Sequence, residues 1–163
     1  MKKHKGLTLF ELLITLTIAA IIFGIGVPSF LDTIRASRTV TEVNNLISAV
    51  NLARSTATSR GQQTLVEPIE GGDWTTGWLV GIDEDNDGNF PNNDDAIIRS
   101  FPAPTSLNFI GAPNTIRYEP TGETLELSTF TIVPDSCNDT RNKTRSLTIA
   151  LAGYADLTYQ PCP

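Results

Sequence analysis

Four aspartates crowd one short stretch of this chain and form its densest group of chemically capable side chains. Asp83, Asp85 and Asp87 take positions 1, 3 and 5 of Asp83-Glu84-Asp85-Asn86-Asp87-Gly88, with Gly88 at position 6 and Asp94 at position 12. This is the spacing of an EF-hand calcium loop, in which oxygen ligands at alternate positions wrap a hard cation around a glycine turn. Other features point to an acidic hairpin tip kept soluble by its charges. Position 12 is Asp instead of the longer bidentate Glu, Pro91 interrupts the loop, and the flanking segments read as strands. Calcium is thus a cofactor the spacing allows and does not require.

Other chemistries find fewer parts. The sole histidine is His4, in a basic N-terminal hexapeptide, so no Ser/His/Asp or Cys/His site can be assembled downstream. No Gly-rich phosphate loop or H-E-x-x-H occurs, and an enzyme is not expected. A paired-carboxylate hydrolase stays open in principle, but the acids cluster in one turn, which suits solvation or cation binding better. The only cysteines, Cys137 and Cys162, lack a C-x-x-C or Cys/His grouping. Behind a membrane-targeting segment they are expected to form a disulfide in an oxidising compartment. It would close a loop of about 25 residues and stabilise by roughly 3 kcal/mol in the chain-entropy model; the alternative is two reduced, partly buried thiols. Arg141, Lys143 and Arg145 could contact phosphate, as in DNA. However, the net charge is −6, and without Lys2, Lys3 and Lys5 it falls to −9, nine basic against eighteen acidic residues. Against that background the three read more simply as a solvated loop, and DNA is not the expected partner.

The elements that would carry these residues emerge from periodicity. After residues 1–6, a basic leader, about 22 mostly apolar residues from Leu7 to Pro28 suffice to cross a hydrocarbon core as a helix. The positive flank predicts a cytoplasmic N-terminus and export of the chain beyond the apolar run. A secretory signal peptide is the competitor, but Gly24-Ile25-Gly26-Val27-Pro28 replaces an A-x-A-like site, and Glu11 interrupts the apolar run. The helical period also continues. Val40, Val43, Leu46, Ile47, Val50, Ala53 and Ala57 recur at 3.6-residue spacing, with Glu42 and Arg54 on other faces, up to a stop at Gly61. Pro28 should kink or loosen this long helix. Beyond Gly61 the period becomes 2, in runs at 64–69, 78–82, 96–101, 115–119, 125–133, 146–151 and 155–159. The expected fold is α+β, a long N-terminal helix packed on a small antiparallel sheet or sandwich. The expected organisation is leader 1–6, transmembrane and assembly helix 7–30, amphipathic second half 31–61 and β-rich head 62–163.

Gly6-Leu7-Thr8-Leu9-Phe10-Glu11 is the most specific signal. A glycine at the junction of leader and helix is a point where a membrane protease could unwind and cut. A carboxylate at membrane depth costs about 2.5–3.5 kcal/mol unless something compensates it, or unless it snorkels to the interface. Here the sequence resembles the type IV prepilin and pseudopilin superfamily, whose leader ends in Gly before an apolar residue and a Glu at the fifth mature position. Leu7 departs from the commoner Phe but keeps the apolar character. The resemblance implies cleavage after Gly6 and N-methylation of Leu7 by a prepilin peptidase. It also implies a bond from Glu11 to a neighbouring subunit's N-terminal amine, and a helix irregularity at Pro28. The expected location is the bacterial inner membrane, single-pass with a periplasmic head, and then the filament.

The head resembles the GspH/FimT group, on Gly77-Trp78-Leu79-Val80-Gly81-Ile82-Asp83, on Cys137 with Asp139 and Arg141, and on a terminal strand with Gly153. The cysteine pair favours a minor pilin of a type IV pilus that helps to prime assembly. The alternatives are a type II secretion pseudopilin and a DNA-uptake pilin. For the last, Gly153-Tyr154-Ala155-Asp156 lacks both arginines of the expected Gly-Arg-x-Arg pattern.

Overall fold

The computed structural model describes residues 8–85, 90–92 and 95–163. Helix α1, Leu9–Arg60, starts after Thr8, whose backbone is extended and whose hydroxyl accepts the Glu11 N–H (3.2 Å). It ends at Gly61, whose left-handed backbone (φ 65°) lets its N–H reach the Ala57 carbonyl at 2.9 Å. Between these caps the helix runs on through Pro28.

Eight strands come after it: β1 (Thr64–Glu70), β2 (Asp73–Ile82), β3 (Ala96–Phe101), β4 (Leu107–Ile110), β5 (Ile116–Tyr118), β6 (Ser128–Pro134), β7 (Thr144–Ile149) and β8 (Ala155–Gln160). They make two antiparallel four-stranded sheets, ordered β3-β2-β1-β5 and β4-β6-β7-β8. The α+β architecture expected from the change of period is therefore present, with the head as a sandwich. β4 escapes a periodicity reading because four residues, Leu-Asn-Phe-Ile, are too short for alternation to register. β6 begins at Ser128, later than expected. Buried Thr124 ties the preceding segment down by bonding the carbonyls of Glu126 and Ala150, which leaves Leu125 and Leu127 exposed.

The helix buries Val43, Leu46, Ala49, Val50, Ala53 and Ala57 in the core it shares with the sheets, touching β1, β2 and β5. Val40, expected in this stripe, is 44% exposed; Thr39 takes its place, fully buried, because its hydroxyl is satisfied by polar partners. Rings join the sheets. Trp74 and Trp78 of β2, Phe101 of β3, Phe109 of β4 and Phe130 of β6 form one ring cluster, with neighbouring centroids 5.9 to 6.5 Å apart. Fully burying a ring such as Phe130 is worth roughly 2–3 kcal/mol, so this cluster is the main bond between the layers.

Candidate functional site

From Leu9 to Leu31 the large apolar side chains of the helix lie in the open, Leu9 at 78% and Ile25 at 74% exposure. The stretch is long and apolar enough to cross a membrane, and the head covers none of its most apolar part. An apolar surface of this extent demands lipid or other subunits. Glu11 stands in its first turn, exposed, where an acid complements the helix dipole. Thr8 and Glu11 have the Thr-x-x-Glu spacing of a capping box, and the Thr8 half of it is formed. That spacing is a signal the sequence alone contains, and it marks the helix start. Gly6 and Leu7 lie outside the described residues. Pro28 is exposed on the helix and has no N–H to give the Gly24 carbonyl.

Three polar clasps fix how the head sits on this stem. Near the lower end, Asn142, 3% exposed, donates from Nδ2 to Thr39 Oγ1 (3.3 Å) and to Ser136. Beside it, Arg141 Nη1 donates to Ser29 Oγ (3.3 Å) and to the Ser29 carbonyl (3.5 Å). Both residues belong to a loop closed by the Cys137–Cys162 disulfide, a β-bridge between Asn138 and Asn142, and a Cys162 N–H bond to Asp139 Oδ1 (2.7 Å). Midway, Glu42 accepts from the Thr105 N–H (2.9 Å), the Thr105 hydroxyl (2.8 Å) and the Ser106 hydroxyl (2.9 Å). At the upper end, Arg54 donates to the carbonyls of Gly122 (3.1 Å) and Ala152 (2.9 Å). Gly153 is obligatory there: its φ is 80°, and a Cβ would strike the Gly122 carbonyl oxygen. Near Arg54, burial pushes the Tyr118 phenol up to about 12, against the opposing pull of the Arg54 charge. Glu42 and Arg54 read in the sequence only as residues off the apolar stripe, since nothing local marks a partner more than 60 residues away.

In the acidic loop, Asp83, Asp85 and Asp95 place carboxylate oxygens within 4.8 Å of one another. The expected ligands Asp87 and Asp94 lie outside the described residues. Asp95 is invisible to an EF-hand template, which looks only at position 12. Strand pairing identifies it: Ile82 faces Ala96 across β2 and β3, so Asp83 and Asp95 flank the same rung. Asp95 also closes the turn, accepting the backbone N–H of Asn92 (2.9 Å) and of Glu84 (3.3 Å). The loop thus joins two strands, unlike the helix–loop–helix of an EF-hand.

The basic trio does not share a surface. Arg141 and Lys143 are exposed, whereas Arg145 is 3% exposed, bonds the Lys143 carbonyl (3.1 Å) and lies over the Tyr159 ring at 5.4 Å. Its position inside the β-strand Thr144–Ile149 turns it away from any phosphate track. A cleft of about 260 Å³ is lined by Thr115, Arg117, Leu125, Glu126 and Ser128. It is smaller than pockets that bury drug-sized ligands and gathers no nucleophile–base pair. On the neighbouring β1, burial raises the Glu67 carboxyl, opposed by the Thr115 hydroxyl bond and the Arg117 charge.

A family model described as type II transport protein GspH matches residues 42–153, more than half of the chain, and one described as the prokaryotic N-terminal methylation motif matches residues 1–27. No curated protein matches the sequence. Among solved structures, the chain is similar to the type IV minor pilin FimU of Pseudomonas aeruginosa in two crystal forms. One gives a TM-score of 0.57 at 21% identity, covering 75% of this chain and 90% of that one. The other gives 0.52 at 22%, covering 75% and 92%. The minor pseudopilin EpsH from the type 2 secretion system of Vibrio cholerae gives 0.52 at 15%, covering 75% and 97%. At these identities the likeness is one of fold.

Proposed function

The chain belongs to the GspH family of type II transport proteins, and on that premise we propose that it is a minor pilin of a type IV pilus that helps to prime filament assembly. The family is one of minor pilins and pseudopilins, structural subunits that meet other pilins in a filament and are not enzymes. The observation that carries the reading is the uncovered stem from Leu9 to Leu31 beside a head firmly clasped to the rest of the same helix. Such a surface is stable in a bilayer and, after extraction, only against the stems of neighbouring subunits.

In this reading a prepilin peptidase cuts after Gly6 and methylates Leu7, and the inner membrane holds the stem with the head in the periplasm. Glu11 then attracts the N-terminal amine of the adjoining subunit, which offsets the cost of a carboxylate at membrane depth. Pro28 offers a place where the stem can bend as subunits pack. The Cys137–Cys162 disulfide suits an oxidising periplasm. The chain itself needs no cofactor for these steps; the methyl group placed on Leu7 comes from a methyl donor used by the peptidase. DNA uptake is disfavoured by the inward position of Arg145 and the acidic head.

Deleting the gene in its host and scoring piliation, protein secretion and transformation side by side tests the proposal. Loss of surface pili with secretion intact supports it; loss of secretion with pili intact would assign the chain to the secretion pseudopilins instead.

A further inference from the structure

The apolar run from Leu7 to Pro28, with Glu11 inside it, is about 22 residues and as a helix would measure about 33 Å, about the thickness of a bilayer's hydrocarbon core. Membrane insertion of that run therefore places Ser29 at the outer boundary of the hydrocarbon core and Asp32 roughly one turn beyond it, toward the lipid phosphates. Arg141 donates to both the side chain and the carbonyl of Ser29, so the head carries a guanidinium down to the depth of the lipid phosphates. Its loop cannot easily withdraw, because the disulfide, the Asn138–Asn142 bridge and the buried Asn142–Thr39 bond hold it against the helix.

We infer that Arg141, aided by Lys143, binds the headgroup of an anionic phospholipid at the outer face of the membrane while the stem is still inserted. This rests on the stem spanning a bilayer as proposed above. Beside Arg141 lies a cleft of about 160 Å³ lined by Asp32, Ser136, Asn138 and Asn142, too small for a drug-sized ligand. The Asp32 carboxylate in it is offset by Arg35 at 3.4 Å. Asp139 turns its Oδ1 to the Cys162 N–H. Guanidinium is the group best matched to phosphate oxygens, and Lys143 stands exposed two residues along. The rest of the head is strongly acidic and repelled by an anionic surface, so this corner sets how the head rests there. Extraction into a filament would exchange the lipid for protein contacts, which makes the bond a retention device for unassembled subunits.

The test uses the full chain in nanodiscs of phosphatidylcholine alone or with phosphatidylglycerol, read by amide hydrogen exchange. The expected result is about fivefold slower exchange at Thr140–Asn142 in the phosphatidylglycerol discs per engaged charge. Lys143→Gln, which keeps the Arg141–Ser29 contact, should remove part of that slowing, and Arg141→Gln with Lys143→Gln all of it, with residues 12–31 protected throughout. Equal loop exchange in both lipids with the stem protected overturns the lipid contact and leaves the pilin reading intact. An unprotected stem overturns both. Slowing by a short DNA duplex in discs of phosphatidylcholine alone would reassign the site to nucleic acid and likewise overturn the proposal.

Discussion

Asn142 and Thr39, 103 residues apart, meet where the disulfide-closed loop touches the stem, the amide donating to a hydroxyl that is itself fully buried. The Thr39 hydroxyl in turn donates to the Arg35 carbonyl one helical turn back (3.2 Å), so the head is tied to the helix backbone through two short polar steps. Asn142→Ala should destabilise the protein by about 1–3 kcal/mol, since it leaves the buried Thr39 hydroxyl and the half-buried Ser136 without this partner. Denaturant unfolding of the detergent-solubilised chain would show the loss as a lower midpoint at unchanged slope.

Tyr118 gives the head an alkaline limit. Its side chain is fully buried, and its hydroxyl has no hydrogen-bond partner among the described residues. The folded pKa is raised to about 12 against 10.0 unperturbed, so the unfolded chain loses this proton first. The contribution is complete below pH 10 and falls as pH rises toward 12, by roughly 2–3 kcal/mol in all. Tyr118→Phe should flatten that part of the stability–pH curve and cost little at neutral pH, as it removes only an unpaired hydroxyl.

Reducing the disulfide, or replacing both Cys137 and Cys162 with Ser, should cost roughly 3 kcal/mol and lower the melting temperature. Loosening should concentrate in the loop from Asn138 to Asn142 and in the C-terminal tail, as faster hydrogen exchange, with the aromatic core little affected.

Glu11→Ala should leave head stability unchanged within about 0.5 kcal/mol, because Glu11 is exposed and its backbone cap to Thr8 persists. Incorporation into sheared filaments should drop sharply, read by immunoblot against the membrane-retained pool. Normal incorporation would remove the assembly role proposed for Glu11.

The architecture is largely legible in the sequence because it rests on periodicity. The stripe Val43, Leu46, Val50, Ala53 and Ala57 and most strand positions coincide with where apolar residues recur. The clasps are not legible there. Arg54 meets Gly122 and Ala152, and Glu42 meets Thr105, through contacts that only the folded chain creates. Val40 and Thr39 exchange roles for the same reason: a threonine that finds partners in the head can be buried where a valine one residue on cannot turn inward. Asp95 is within reach of sequence reasoning once the loop is taken as the tip of a hairpin and its register counted.

The pilin assignment depends most on a stem released by a cut behind Gly6. Intact-mass and N-terminal sequencing of the protein purified from its native host should find N-methyl-leucine at position 7 as the first residue. A chain that begins at Met1, or well beyond Leu7, would contradict it.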